Sequence, residues 1–128
     1  MEINEGDQIM KIAVTSKGKD LESQVDPRFG RAAYILVVET ESMEVTVLDN
    51  SENVNSFKGA GIQAATMISD KGAKVLLTGF CGPNAFKTLE AAKINVVSDM
   101  KGTVREAIAL YNDGNISFSD GANVDGHW

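Results

Sequence analysis

The stretch KVLLTGFCGPNAFKTLEAAKINVV, Lys74 to Val97, decides how this chain folds. It opens with a short apolar run, Lys74–Thr78, of strand length. A glycine-flanked turn follows, Gly79-Phe80-Cys81-Gly82. Pro83 fits the first position of a helix, where a missing N–H is no loss. Phe86, Leu89 and Ala92 then share one face of a helix expected over Pro83–Lys93. A second short run, Asn95–Ser98, completes a strand–helix–strand unit. Consecutive units of this kind build a sheet with helices packed on it.

The same signals extend outward. Before this unit, Gly59–Lys71 places Ile62, Ala65 and Ile68 on one helical face, and Gly72 suits the stop. After it, Thr103–Asn112 groups Val104, Ala107, Ile108 and Tyr111, with Gly114 as its end. Its start, Thr103-Val104-Arg105-Glu106, has the form of a capping box. Three strands precede the helices: Lys11–Thr15, Ala33–Glu39 and Met43–Asp49. The last alternates, Met43, Val45 and Val47 against Glu44 and Thr46, as a half-buried antiparallel partner does. Ile116–Phe118 has the pattern of one more short strand.

The order is therefore β-β-β-α-β-α-β-α. It predicts an α/β fold with a mixed five-stranded sheet: an antiparallel start of three strands, then βα units, flanked by three helices. Residues 10–114 are expected to form one domain, with 1–9 a flexible extension and 115–128 a flexible, Gly-, Asp- and Ser-rich tail. There are no repeats and no linker. Tracing strand directions puts four loops at one end: Ser16–Arg31, Asn50–Lys58, Gly79–Gly82 and Asp99–Gly102. Ligands of open α/β sheets bind at the carboxyl ends of strands, which is this end.

Composition narrows the classes. Of 128 residues, 43% are hydrophobic and 23% charged, ordinary values for a globular domain. No apolar run approaches bilayer length and no secretory pattern is present, so a cytoplasmic protein without membrane contact is expected. The net charge of −6 argues against nucleic-acid binding. A single cysteine excludes an intramolecular disulfide framework.

Three helices start at the loop-rich end, at Gly59-Ala60-Gly61, Gly82-Pro83 and Gly102-Thr103. Helix starts present N–H groups and partial positive charge, and so favour an anion. Arg28 and Arg31 lie in the long loop at the same end. The competing reading is that the glycines only end strands and cap helices. No phosphate-binding P-loop motif is complete, and Gly79–Gly82 lacks the rest of a dinucleotide fingerprint. Cys81 can be read as a thiolate activated by a helix start, as a ligand to a soft metal, or as a small residue in a tight turn. A cysteine nucleophile needs a base, and the one histidine is His127, beside the carboxyl terminus. One cysteine and one histidine cannot close a structural zinc site.

Three segments, VDPRFGRAAYILVVE (Val25–Glu39), GAGIQAATMISDKGAKVLLTGFCGPNAFKTLEAAKINVV (Gly59–Val97) and GTVREAI (Gly102–Ile108), resemble the dinitrogenase iron–molybdenum cofactor biosynthesis family. The family includes nitrogenase accessory proteins and small single-domain members similar to the orange protein. The resemblance implies a ribonuclease H-like fold. It implies a non-catalytic protein that binds or carries an anionic metal–sulfur cluster, of iron–molybdenum or molybdenum–copper type. Matched by motif, the cofactor-binding positions are Arg28, Phe29, Gly30 and Arg31, then Gly59, Ala60 and Gly61, then Gly82, Pro83 and Asn84, and finally Gly102 and Thr103. Cys81 and His127 are the candidate metal ligands. Cluster-assembly proteins, including a P-loop ATPase, are the partners this reading suggests. Two other readings fit the same loops: a binder, sensor or enzyme for a small phosphorylated or carboxylated metabolite, and a protein-interaction module.

Overall fold

β1 (Lys11–Ser16) lies at the centre of the sheet, and every residue from Ile12 to Ser16 is buried. The computed structural model describes residues 10–51, 59–114, 116–119 and 121–122. The expected extension 1–9, most of the loop 50–58, and the end of the tail with His127 fall outside the described residues.

β2 (Tyr34–Glu39) pairs antiparallel with β1, and β3 (Val45–Asp49) pairs antiparallel with β2. On the other side β4 (Val75–Leu77) runs parallel to β1, and β5 (Asn95–Val97) parallel to β4. The order is β3-β2-β1-β4-β5, the mixed five-stranded sheet that the sequence predicts. The helices are α1 (Ala60–Asp70), α2 (Pro83–Ala91) and α3 (Val104–Asn112). The strand directions put the ends of β1, β3, β4 and β5 and the starts of all three helices at one end.

Side chains alternate across a strand, so this register builds two cores. Ala13, Ile35, Val37, Leu76 and Val96 face α1 and α2, against Ala64, Ala65, Ile68 and Leu89. Ile12, Val14, Leu36, Val38, Val75, Leu77 and Val97 face α3, against Val104, Ala107 and Ile108. Burying each large aliphatic side chain contributes about 1.5–3 kcal/mol. β1 feeds both layers, which is why its apolar run is continuous rather than alternating.

Two faces differ from expectation. Ile62 is 40% exposed, and the buried stripe of α1 is Ala60, Ala64, Ala65 and Ile68. The small residues of α1 turn toward the rest of the fold because its first turn presses on α2. A Cβ on Gly61 would lie 2.7 Å from the Cβ of Ala85. In β3, Val47 is 40% exposed while Leu48 is buried. Val47 shares the α3 side of the sheet, where a single helix leaves the outer strand uncovered; Leu48 packs into the layer of α1 and α2.

The expected strand at Ile116–Phe118 does not form a ladder strand. It lies beside β5, where the Ser119 N–H donates to the Val96 carbonyl and the Ser98 and Ser119 hydroxyls share a 2.7 Å hydrogen bond.

Candidate functional site

The long loop after β1 is anchored to its surroundings at several points. The Thr15 hydroxyl donates to the Asp26 carbonyl at 2.6 Å and shares a 2.9 Å hydrogen bond with Thr78. The Asp26 N–H returns to the Thr15 carbonyl, and the Phe29 N–H donates to the Phe80 carbonyl. Gly79 permits this last crossing, because a Cβ there would sit 2.7 Å from Pro27. Farther along, Gly30 has a φ of 92° and lies against the start of α1. A Cβ on it would approach the Gly61 Cα and N to 2.9 Å. The loop carrying Arg28 and Arg31 is thus wedged between the β4–α2 turn and the first turn of α1.

The three helix starts are chemically unequal. At α3 the N–H groups are taken. Thr103 N–H donates to the Glu106 carboxylate at 2.8 Å, and Glu106 N–H donates to the Thr103 hydroxyl at 3.1 Å, closing the expected capping box. The Val104 and Arg105 N–H groups donate to the Ser23 and Leu21 carbonyls. Gly102, at φ 90°, leaves no vacancy either, since a Cβ would meet the Glu106 carboxylate at 2.5 Å.

At α1 and α2 no side chain among the described residues caps the helix. Among the described residues, the N–H groups of Ala60, Gly61 and Ile62 in α1 and of Asn84 and Ala85 in α2 have no acceptor. The Gly61–Ala85 contact sets these two starts side by side, so their partial positive charges add. Gly59, at φ 78°, has open space where a Cβ would be. The sequence-matched residues therefore fall into groups. Gly59, Ala60, Gly61, Gly82, Pro83 and Asn84 form two neighbouring open helix starts, with Arg28, Gly30 and Arg31 in the loop against them. Phe29 is buried in the core under α1 and α2, and serves to seat the loop. Gly102 and Thr103 belong to the closed start of α3.

Arg28 is half exposed, its Nε 3.7 Å from the buried Asp26 carboxylate. That carboxylate also accepts the Arg28 N–H at 3.1 Å, so one acid orients both the backbone and the side chain. Cys81 departs from the activated-thiolate reading. It is 1% exposed, and burial pushes its thiol up to about 12. Desolvation by burial disfavours the thiolate, and the sulfur stays protonated at neutral pH. Among the described residues no group of three or more His, Cys, Asp or Glu side chains could hold a metal ion. No described helix is long and apolar enough to cross a membrane.

Sequence reasoning passed over Asn50, which it placed at the edge of a polar loop. Asn50 is fully buried, and its amide donates to the Gly30 carbonyl at 3.2 Å and the Ala32 carbonyl at 2.8 Å. A polar residue directly after an apolar strand gives no sign of whether it turns inward.

Comparison with known proteins agrees with this fold. The apo form of the orange protein from Desulfovibrio gigas has a structure matching this chain with a TM-score of 0.88 at 43% identity, over 91% of this chain and 98% of that one. The NMR structure of a Thermotoga protein matches with a TM-score of 0.79 at 35% identity, over 92% and 100%. An uncharacterized protein of Methanocaldococcus jannaschii is 26% identical over 111 residues, 85% of this chain and 91% of its own. The family described as dinitrogenase iron-molybdenum cofactor matches residues 10–114. With the family matched over most of its length, the chain belongs to the dinitrogenase iron–molybdenum cofactor family.

Proposed function

We propose that the protein binds or carries an anionic metal–sulfur cluster, of iron–molybdenum or molybdenum–copper type, and holds it as cargo without covalent ligands. The observation that carries this reading is the pair of adjacent, uncapped helix starts, α1 and α2, with the arginine loop wedged against them. A sulfide-rich anion accepts N–H hydrogen bonds and pairs with guanidinium groups. Hydrogen bonds to a charged partner each contribute about 1.5–3 kcal/mol, so several together suffice for retention. The buried, protonated Cys81 supports a hold without a metal–thiolate bond. Such cargo can be loaded and released without breaking a bond to the protein, which suits a carrier exchanging with cluster-assembly proteins.

Anaerobic reconstitution tests this. The protein is mixed with tetrathiomolybdate and copper, or with isolated iron–molybdenum cofactor, and passed through a desalting column. A chromophore that co-elutes with the protein is the expected result; failure to retain either cluster contradicts the proposal.

A further inference from the structure

Asn50 stands one residue past β3, outside the helix starts and the arginine loop themselves. It is the one fully buried amide side chain among the described residues, and its backbone N–H continues the β2–β3 pairing by donating to the Ala33 carbonyl at 3.0 Å. Its side chain reaches back across twenty positions to the carbonyls of Gly30 and Ala32, the residues that bracket Arg31. The same Gly30 is seated on the Gly61 backbone with no room for a Cβ. A sheet edge, the arginine loop and the start of α1 therefore meet through one amide.

We propose that Asn50 is a positioning residue for the cargo site. Its amide fixes the arginine loop against the first turn of α1, and so sets the distance between the guanidinium groups and the open N–H groups. Two carbonyls on a glycine-containing loop have many alternative orientations. A donor fixed to the sheet selects one of them. Sites lose affinity when their supporting contacts are loose, even with every contacting residue present. The functional half of this inference rests on the cluster-carrier reading; the structural half does not.

The test uses the full chain, the variants Asn50→Ala and Asn50→Ser, the pair Arg28→Ala/Arg31→Ala, and that pair combined with Asn50→Ala. Trypsin cleaves after arginine, so native-state proteolysis read by mass spectrometry reports on the loop with no cargo present. Cleavage after Arg28 and Arg31 is expected to speed up about tenfold in Asn50→Ala, while cleavage after Lys87 and Lys101 is unchanged. A residue that only stabilises the whole fold would speed all four sites together, and that pattern overturns the proposal. Tetrathiomolybdate affinity, followed by its visible absorption, is expected to fall about tenfold in Asn50→Ala. It should fall no further when Asn50→Ala is added to the arginine pair. Losses that add instead show Asn50 acting other than through the arginine loop, and contradict the assigned role. Should Asn50→Ala fail to fold, Asn50→Ser, whose hydroxyl serves a single carbonyl, is expected to show both effects at smaller size. If the wild type does not bind tetrathiomolybdate, the functional half falls with the carrier reading, and the cleavage pattern still decides the structural half. If the wild type binds and Asn50→Ala binds equally well, the functional half alone is overturned.

Discussion

Helices α1 and α3 begin at the same end of the sheet, each within two residues of a glycine at positive φ, yet their N-termini differ in chemistry. At α3 the backbone donors are used by Glu106, Thr103 and the loop carbonyls of Leu21 and Ser23. At α1, and at α2 beside it, no side chain among the described residues caps the start. The dipole is common to all three. What distinguishes them is whether donors remain for a ligand, because an N–H already paired at 2.8–3.1 Å has nothing further to offer an anion. α3 fastens the loop to the fold, whereas the first-turn donors of α1 and α2 meet no acceptor among the described residues.

The largest effect expected from disturbing this contrast comes from Gly30→Ala. The new Cβ meets the Gly61 backbone and the φ of 92° is strained for alanine. Denaturant unfolding should show a loss of about 2–4 kcal/mol; a change below half a kcal/mol would mean the loop is not wedged against α1. Next, Arg28→Ala with Arg31→Ala should weaken tetrathiomolybdate binding about tenfold or more while leaving the melting temperature nearly unchanged. Equal affinity would remove the arginines from the site.

Thr103→Ala separates the two kinds of helix start directly. Losing the cap should cost about 1 kcal/mol of stability. Cargo affinity should stay at the wild-type value, and a parallel loss of affinity would show that α3 takes part after all. The smallest effect at neutral pH concerns Cys81. Its folded thiol is raised to about 12 against the ordinary 9.0, so the unfolded chain releases the proton first as pH rises. The stability this contributes is complete below the ordinary thiol range and declines as pH climbs from there toward the folded value. Urea unfolding between pH 8 and pH 11, compared with Cys81→Ala, should show the wild type losing stability faster with pH.

Much of this was legible in the sequence. The order of elements along the chain and the shared end of the loops follow from apolar period and from Gly and Pro at element ends, which are local signals. The capping box of Thr103 and Glu106 was legible too, since it is a four-residue motif. Its consequence was not, because the Ser23 and Leu21 carbonyls that complete the closure lie some eighty residues earlier. The same holds for Asn50, whose partners are about twenty residues back. Ile62 and Val47 misled for a related reason: periodicity names an apolar face but not which neighbour covers it. For Cys81 the sequence left thiolate, soft-metal ligand and small turn residue open, because a helix start is visible in sequence whereas burial is a property of the packed core. The family motifs all fall at one end of the molecule, and distance in space then sorted core residue from helix start.

The most direct measurement is an amide NMR titration of the ¹⁵N-labelled protein with tetrathiomolybdate under anaerobic conditions. The largest shifts are expected at Ala60, Gly61, Ile62, Asn84 and Ala85, with Val104, Arg105 and Glu106 unmoved. Shifts centred on Gly102 to Glu106, with the starts of α1 and α2 silent, would contradict it.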